Sequence, residues 1–136
     1  MDNEYLFEWI NIAGEDFNAA QILNEAVRKP YEIICYHCAQ AAEKYLKGYL
    51  VSKGIEPKKT HDLRLLFDYC VELDANYNVI IAECAFLNNF ASDIRYPRRY
   101  EVTGSDVNSA IAAVEKIRHF QPILELRNLA EGADNS

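Results

Sequence analysis

Glycine and proline are scarce. Five glycines and four prolines interrupt 136 residues, and no strand-like alternation of apolar and polar residues runs between them. Long apolar runs are missing too: none approaches the roughly 18 residues that a membrane helix needs, so no membrane partner is expected. The opening segment MDNEYLFEWIN is acidic and has no basic stretch followed by an apolar one, which predicts no secretory leader and a cytoplasmic location. In that compartment the four cysteines, Cys35, Cys38, Cys70 and Cys84, are expected to be reduced thiols. No glycine-rich phosphate loop, GxSxG or HExxH occurs. Basic residues are outnumbered, 14 Lys and Arg against 21 Asp and Glu, for a formal net charge of −7. That excludes a free monomer that holds RNA by bulk electrostatics, because phosphate neutralisation supplies most non-specific affinity. Any nucleic-acid contact must come from a local basic patch, or from a partner that supplies the charge.

What remains is helical periodicity. The length suits a single domain, expected over 1–130, with 131–136 as a frayed tail. Half the residues are hydrophobic and 26% are charged, enough for a core without metals or disulfides. From about Glu4 to Val27, residues Trp9, Ala13, Phe17, Ala20, Leu23 and Val27 fall on one face at spacings of three and four. Arg28 and Lys29 suit a helix C-terminus, and Pro30 breaks the pattern. A second helix is predicted from Tyr31 to Lys53, stopping at Gly54, with Ile34, Cys35, Cys38, Ala42, Tyr45, Leu46 and Tyr49 on its apolar face. Thr60 is a plausible N-cap for a third helix burying Leu63, Leu66, Phe67 and Cys70. A fourth runs from about Asn76 through Ile80, Ile81, Cys84, Leu87 and Asn88, and ends before Pro97. Ser105 is expected to cap the last helix, with the stripe Val107, Ala110, Ile111, Val114 and Ile117, and Pro122 to kink or end it. The fold class is therefore all-α, an up-and-down antiparallel bundle of four to five helices.

Three places carry chemistry. On the second helix His37, Gln40, Lys44 and Lys47 fall within about 80° of arc, away from the apolar face. One imidazole, one amide and two ammonium groups suit a phosphate or nucleotide, although a solvated face has the same pattern. Asp16 sits in the first helix's apolar stripe, where a carboxylate needs a cation or a hydrogen bond. It either orients a site lysine or arginine or forms a structural ion pair. The segment from Asp93 to Tyr100 holds Arg95, Tyr96, Arg98, Arg99 and Tyr100. Guanidinium binds phosphate in bidentate fashion and aromatic rings stack on bases; the alternative is a solvated loop tip, with Arg95 tied to Asp93 or a buried acid.

Other candidates are weaker. Cys35 and Cys38 have zinc-like spacing, but both face the apolar side, His37 points elsewhere, and no second CxxC or HxxxH follows. Core thiols are expected, with no metal and no cofactor. His61, beside Asp62, suits hydrogen bonding to a neighbouring helix, and His119 is left at the surface.

Taken together, Asp16 before apolar Phe17, then CYHCAQAAEKYLKGYL, KKTHDL and IRYP, make the chain resemble the HEPN family (higher eukaryotes and prokaryotes nucleotide-binding domain) over roughly Asp16 to Ile117. The resemblance implies an antiparallel bundle usually paired as a homodimer. It also implies a frequent neighbour, a minimal nucleotidyltransferase, in toxin–antitoxin or nucleotide-handling modules. Many relatives are metal-independent ribonucleases that place an arginine, and about four to six residues later a histidine, at a dimer cleft, histidine being the side chain that titrates near neutral pH. Arg95 matches the arginine, but Arg99, Tyr100 and Glu101 stand where the histidine is required. Arginine stays protonated and cannot replace it. Catalytic candidates are then Arg95, Tyr100, His37 and His61. Arg95, Arg98, Arg99, Tyr96, Lys44, Lys47, His37 and Gln40 are candidates for nucleotide or RNA contact, and Asp16 and Asp93 for positioning them. The functions in competition are a binding module beside a nucleotidyltransferase, a ribonuclease toxin with a degenerate motif, and a purely structural helical dimer.

Overall fold

A computed structural model describes residues 3–92 and 101–134. Six α-helices and no strand occur among them: α1 (Asn3–Leu23), α2 (Tyr31–Ser52), α3 (Leu63–Leu73), α4 (Ile81–Leu87), α5 (Gly104–His119) and α6 (Gln121–Asp134). Short 3-10 turns, Ala75–Ile80 and Asn88–Phe90, flank α4.

α2 is the hub, touching α1, α3, α4, α5 and α6. From Cys38 to Val51 every residue except Lys44 is buried, the pattern of a helix enclosed on all sides. Pro30 precedes it, and Gly54 ends the turn after it at φ 78°, a left-handed conformation that glycine adopts without a Cβ penalty. α1 runs antiparallel to α2: its early residues Trp9 and Ile10 meet Gly48, and its later Asp16 meets His37 and Lys44. A Cβ at Gly48 would lie 2.7 Å from Ile10 Cδ1 and 3.4 Å from Trp9 Cβ. That glycine lets the two helices approach closely enough for their polar groups to meet.

Several boundaries differ from expectation. α1 ends at Leu23, not Val27, and Val27 is fully exposed; the chain needs 24–30 to reverse, and Pro30 keeps Lys29 out of helical geometry. Asp62, not Thr60, caps α3, its carboxylate accepting from the Arg64 and Leu65 amides. Thr60 instead accepts from the Asp62 amide. Thr103, not Ser105, caps α5 in a reciprocal capping box with Asp106; the helix starts at Gly104, so Ser105 lies inside its first turn. The fourth helix is divided. Asn78 and Asn89 side chains donate to the carbonyls of Ala75 and Phe86, and such local bonds compete with a regular helix. Pro122 ends α5 and stands in the first turn of α6, where its missing N–H has no helical partner to lose. α6 is the helix that raises the count above five. It buries Ile123, Leu126 and Ala130 and continues through 131–134 of the segment expected to fray.

Candidate functional site

The α1–α2 seam carries a continuous polar network. Asp16 of α1 meets two groups from α2: His37 Nδ1 lies 3.1 Å from its Oδ1, and Lys44 Nζ lies 3.6 Å from its Oδ2. Lys44 also donates to Gln40 Oε1 and lies 3.8 Å from Glu43 Oε2. Glu43 is the centre of the second half. Its Oε2 accepts from Lys47 Nζ at 3.2 Å, and its Oε1 pairs with His61 Nδ1 at 2.7 Å. Lys47 further lies over the Trp9 ring, 5.5 Å from the centroid, a cation–π contact that helps a buried ammonium.

Burial corrects the expectation that the stripe His37, Gln40, Lys44, Lys47 lies away from the apolar interior. Gln40, Glu43 and Lys47 are buried, at 6%, 2% and 6% exposure. They tolerate this because each charge meets an opposite one. Two carboxylates, Asp16 and Glu43, face two ammonium groups, Lys44 and Lys47, and the sum is zero with both imidazoles neutral. Lys47, its side chain 8% exposed against Glu43 and Trp9, is closed to a ligand by its burial. What the network presents outward is imidazole: the His37 side chain is 29% exposed and that of His61 is 68% exposed. A carboxylate can only accept, so each ring is assigned as donating from Nδ1, which leaves Nε2 on its outer edge. One further group is unspent, since Gln40 Nε2 has no hydrogen-bond partner among the described residues.

Asp16 thus holds Lys44, one of its two expected partners; Arg95, the other, lies outside the described residues, as do Asp93, Tyr96, Arg98, Arg99 and Tyr100. Glu43 was not singled out from the sequence. Its signal was a carboxylate set among Ala39, Ala42, Leu46 and Leu50 on an otherwise apolar side of α2, with Lys47 one turn on.

The remaining candidates stand apart. All four cysteines are buried and none is in a disulfide. Burial pushes the Cys84 thiol up to about 12, and those of Cys38 and Cys70 move the same way, so near neutral pH they are protonated and inert. No group of three or more His, Cys, Asp or Glu is arranged to hold a metal among the described residues. His119 is exposed, its Nδ1 2.8 Å from the Glu115 carbonyl oxygen. No helix among the described residues is long and apolar enough to cross a membrane.

Compared with known proteins, the chain matches the family model of the HEPN domain over residues 7–124, from the first turns of α1 to the start of α6. No curated protein and no solved structure matches it.

Proposed function

The chain belongs to the HEPN domain family, which gives it a role around nucleotides or RNA, and on that premise we propose that it is a non-catalytic binding module paired as a homodimer. The contacts are assigned to Arg95, Tyr96, Arg98 and Arg99, together with the α2 group, in which His37 is the most exposed and Gln40, Lys44 and Lys47 are less so. Asp16 and Glu43 are the acids that position this group. The observation that carries the reading is the internal charge balance. Asp16 and Glu43 pair with Lys44 and Lys47, so the α2 stripe offers phosphate no unpaired cation and the reading turns to the arginines of 95–99. With a net charge of −7, such a protein recognises a nucleotide by local contacts, or acts beside a partner that carries the nucleotide. A minimal nucleotidyltransferase is that partner, in a toxin–antitoxin or nucleotide-handling module. Arg95→Ala is the test: affinity for nucleotide, RNA and partner should fall, and unchanged affinity defeats the assignment.

A second reading, a metal-independent ribonuclease, is favoured by one observation. His37 and His61 each have Nδ1 held by a carboxylate, the arrangement that prepares Nε2 as a general base. In that reaction Nε2 of His37 takes the 2′-hydroxyl proton while the 2′-oxygen bonds to phosphorus. The bond to the 5′-oxygen breaks and that oxygen takes a proton from water, leaving a 2′,3′-cyclic phosphate and a 5′-hydroxyl. Purified protein free of divalent metal is incubated with total RNA. On this reading wild type cleaves, and His37→Ala is slower by about 10²–10⁴-fold. Intact RNA with wild type removes the reading and leaves the binding module.

A further inference from the structure

On the side of α1 away from Asp16, a cleft of about 120 Å³ opens between α1, α2, α5 and α6. Gly14 and Asn11, which line it, lie roughly 160° and 140° around α1 from Asp16 at 100° per residue, so the cleft shares no wall with the histidine network. Two guanidinium groups from different helices meet there, Arg118 of α5 and Arg127 of α6, together with the Tyr45 hydroxyl of α2.

Both arginines are held in place. Arg118 stacks on the Phe17 ring, its guanidinium carbon 4.8 Å from the centroid, and its Nε donates to the Tyr45 hydroxyl at 3.1 Å. One of its terminal nitrogens lies 3.6 Å from Glu115 Oε1. Arg127 donates one terminal N–H to the Arg118 carbonyl oxygen at 2.9 Å. Each guanidinium has five N–H donors in a rigid fork, so most of Arg127's and part of Arg118's are unspent. Gly14 contributes the space: a Cβ there would sit 3.9 Å from the Tyr45 hydroxyl, on the cleft's own floor.

We propose that this cleft binds the phosphoryl group of a phosphate ion or phosphate monoester. Two guanidinium groups lining one cleft suit the oxygens of a tetrahedral dianion, which accepts charge-assisted bonds from the N–H groups left on each. The volume decides the size of the ligand. Sites that enclose a drug-sized molecule run to about 300–1,000 Å³, so this cleft takes a phosphoryl group and leaves a nucleoside outside. Glu131 at the rim and Glu115 beside Arg118 oppose an anion; Glu131 is exposed and the Glu115 side chain is 41% exposed, so solvent screens both in part. The half-buried side chain of Arg118, 22% exposed, is screened less. None of the described residues lining the cleft belongs to the α2 histidine network, and its test is separate from that of the proposed function.

The test follows the arginine Nε–Hε resonances of the full chain by NMR while inorganic phosphate, and separately AMP, is added. Saturable shifts of the Arg118 and Arg127 signals are expected with phosphate. The same shifts with AMP extend the site to phosphate monoesters, and their absence with AMP confines it to the free ion. Arg127→Gln keeps a donor for the Arg118 carbonyl but loses the fork, and should weaken binding by about tenfold to a hundredfold. Gly14→Leu, at a helical position with room for a Cβ, fills the cleft and should abolish binding in a folded protein. Shifts confined to other arginines, or Arg127→Gln binding as tightly as wild type, overturn the proposal.

Discussion

Glu43→Ala should lower folding stability by about 3–5 kcal/mol, because it leaves an uncompensated charge in the interior. Lys47 is the stranded partner, its side chain 8% exposed and bonded to Glu43 Oε2. Lys44 and His61 lose the same carboxylate. Two controls separate charge from packing. Glu43→Gln keeps an oxygen for the Lys47 ammonium and should cost less, about 1–2 kcal/mol. The double variant Glu43→Leu with Lys47→Leu removes both charges and should recover most of the loss, since apolar residues often replace a buried ion pair at little cost. Urea midpoints at constant slope give the values. A loss below about 1 kcal/mol for Glu43→Ala would mean that the Lys47 ammonium finds water and that the network is a surface feature.

Phe17→Ala should be as costly, about 3–5 kcal/mol. Phe17 is 1% exposed at the centre of the core, and its ring also supports the Arg118 guanidinium. The second contact has its own signature. Removing the ring releases a cation–π contact worth about 0.5–1 kcal/mol, so Phe17→Ala and Arg118→Met should be less than additive in combination. Strict additivity in urea unfolding would show that the ring and the guanidinium act separately.

Much of the fold is written in local patterns. Pro30 and Gly54 bound α2 within a residue or two, because each acts through its own backbone. Leu63, Leu66, Phe67 and Cys70 occupy the buried side of α3 as their spacing requires. Caps were legible but misassigned. Thr103 stands just before the helix and Ser105 inside its first turn, although each has a polar residue three positions on, while the Asp62 carboxylate reaches two α3 amides. The site was legible only in part. Asp16 is conspicuous because its neighbours are apolar, and its need for a cation follows from that alone. Lys44, Lys47 and Gln40 look like a solvated face on a projection of α2 taken by itself. The burial of Lys47 and Gln40 and the partial burial of Lys44 follow from the close approach of α1, which Gly48 permits and which sets Trp9 by Lys47 and Asp16 by Lys44. Glu43 was hidden for the same reason: its partner His61 lies 18 residues away, beyond any helical period.

The central claim is that the chain contacts nucleotide or RNA through Arg95 and its neighbours. The most direct measurement is a fluorescence-anisotropy titration of labelled single-stranded RNA and labelled AMP with wild type and Arg95→Ala, in low salt. Saturable binding of one probe by wild type, weakened about tenfold or more in the variant, is the predicted result. Equal affinity of the two proteins, or no binding of either probe by wild type, would contradict it.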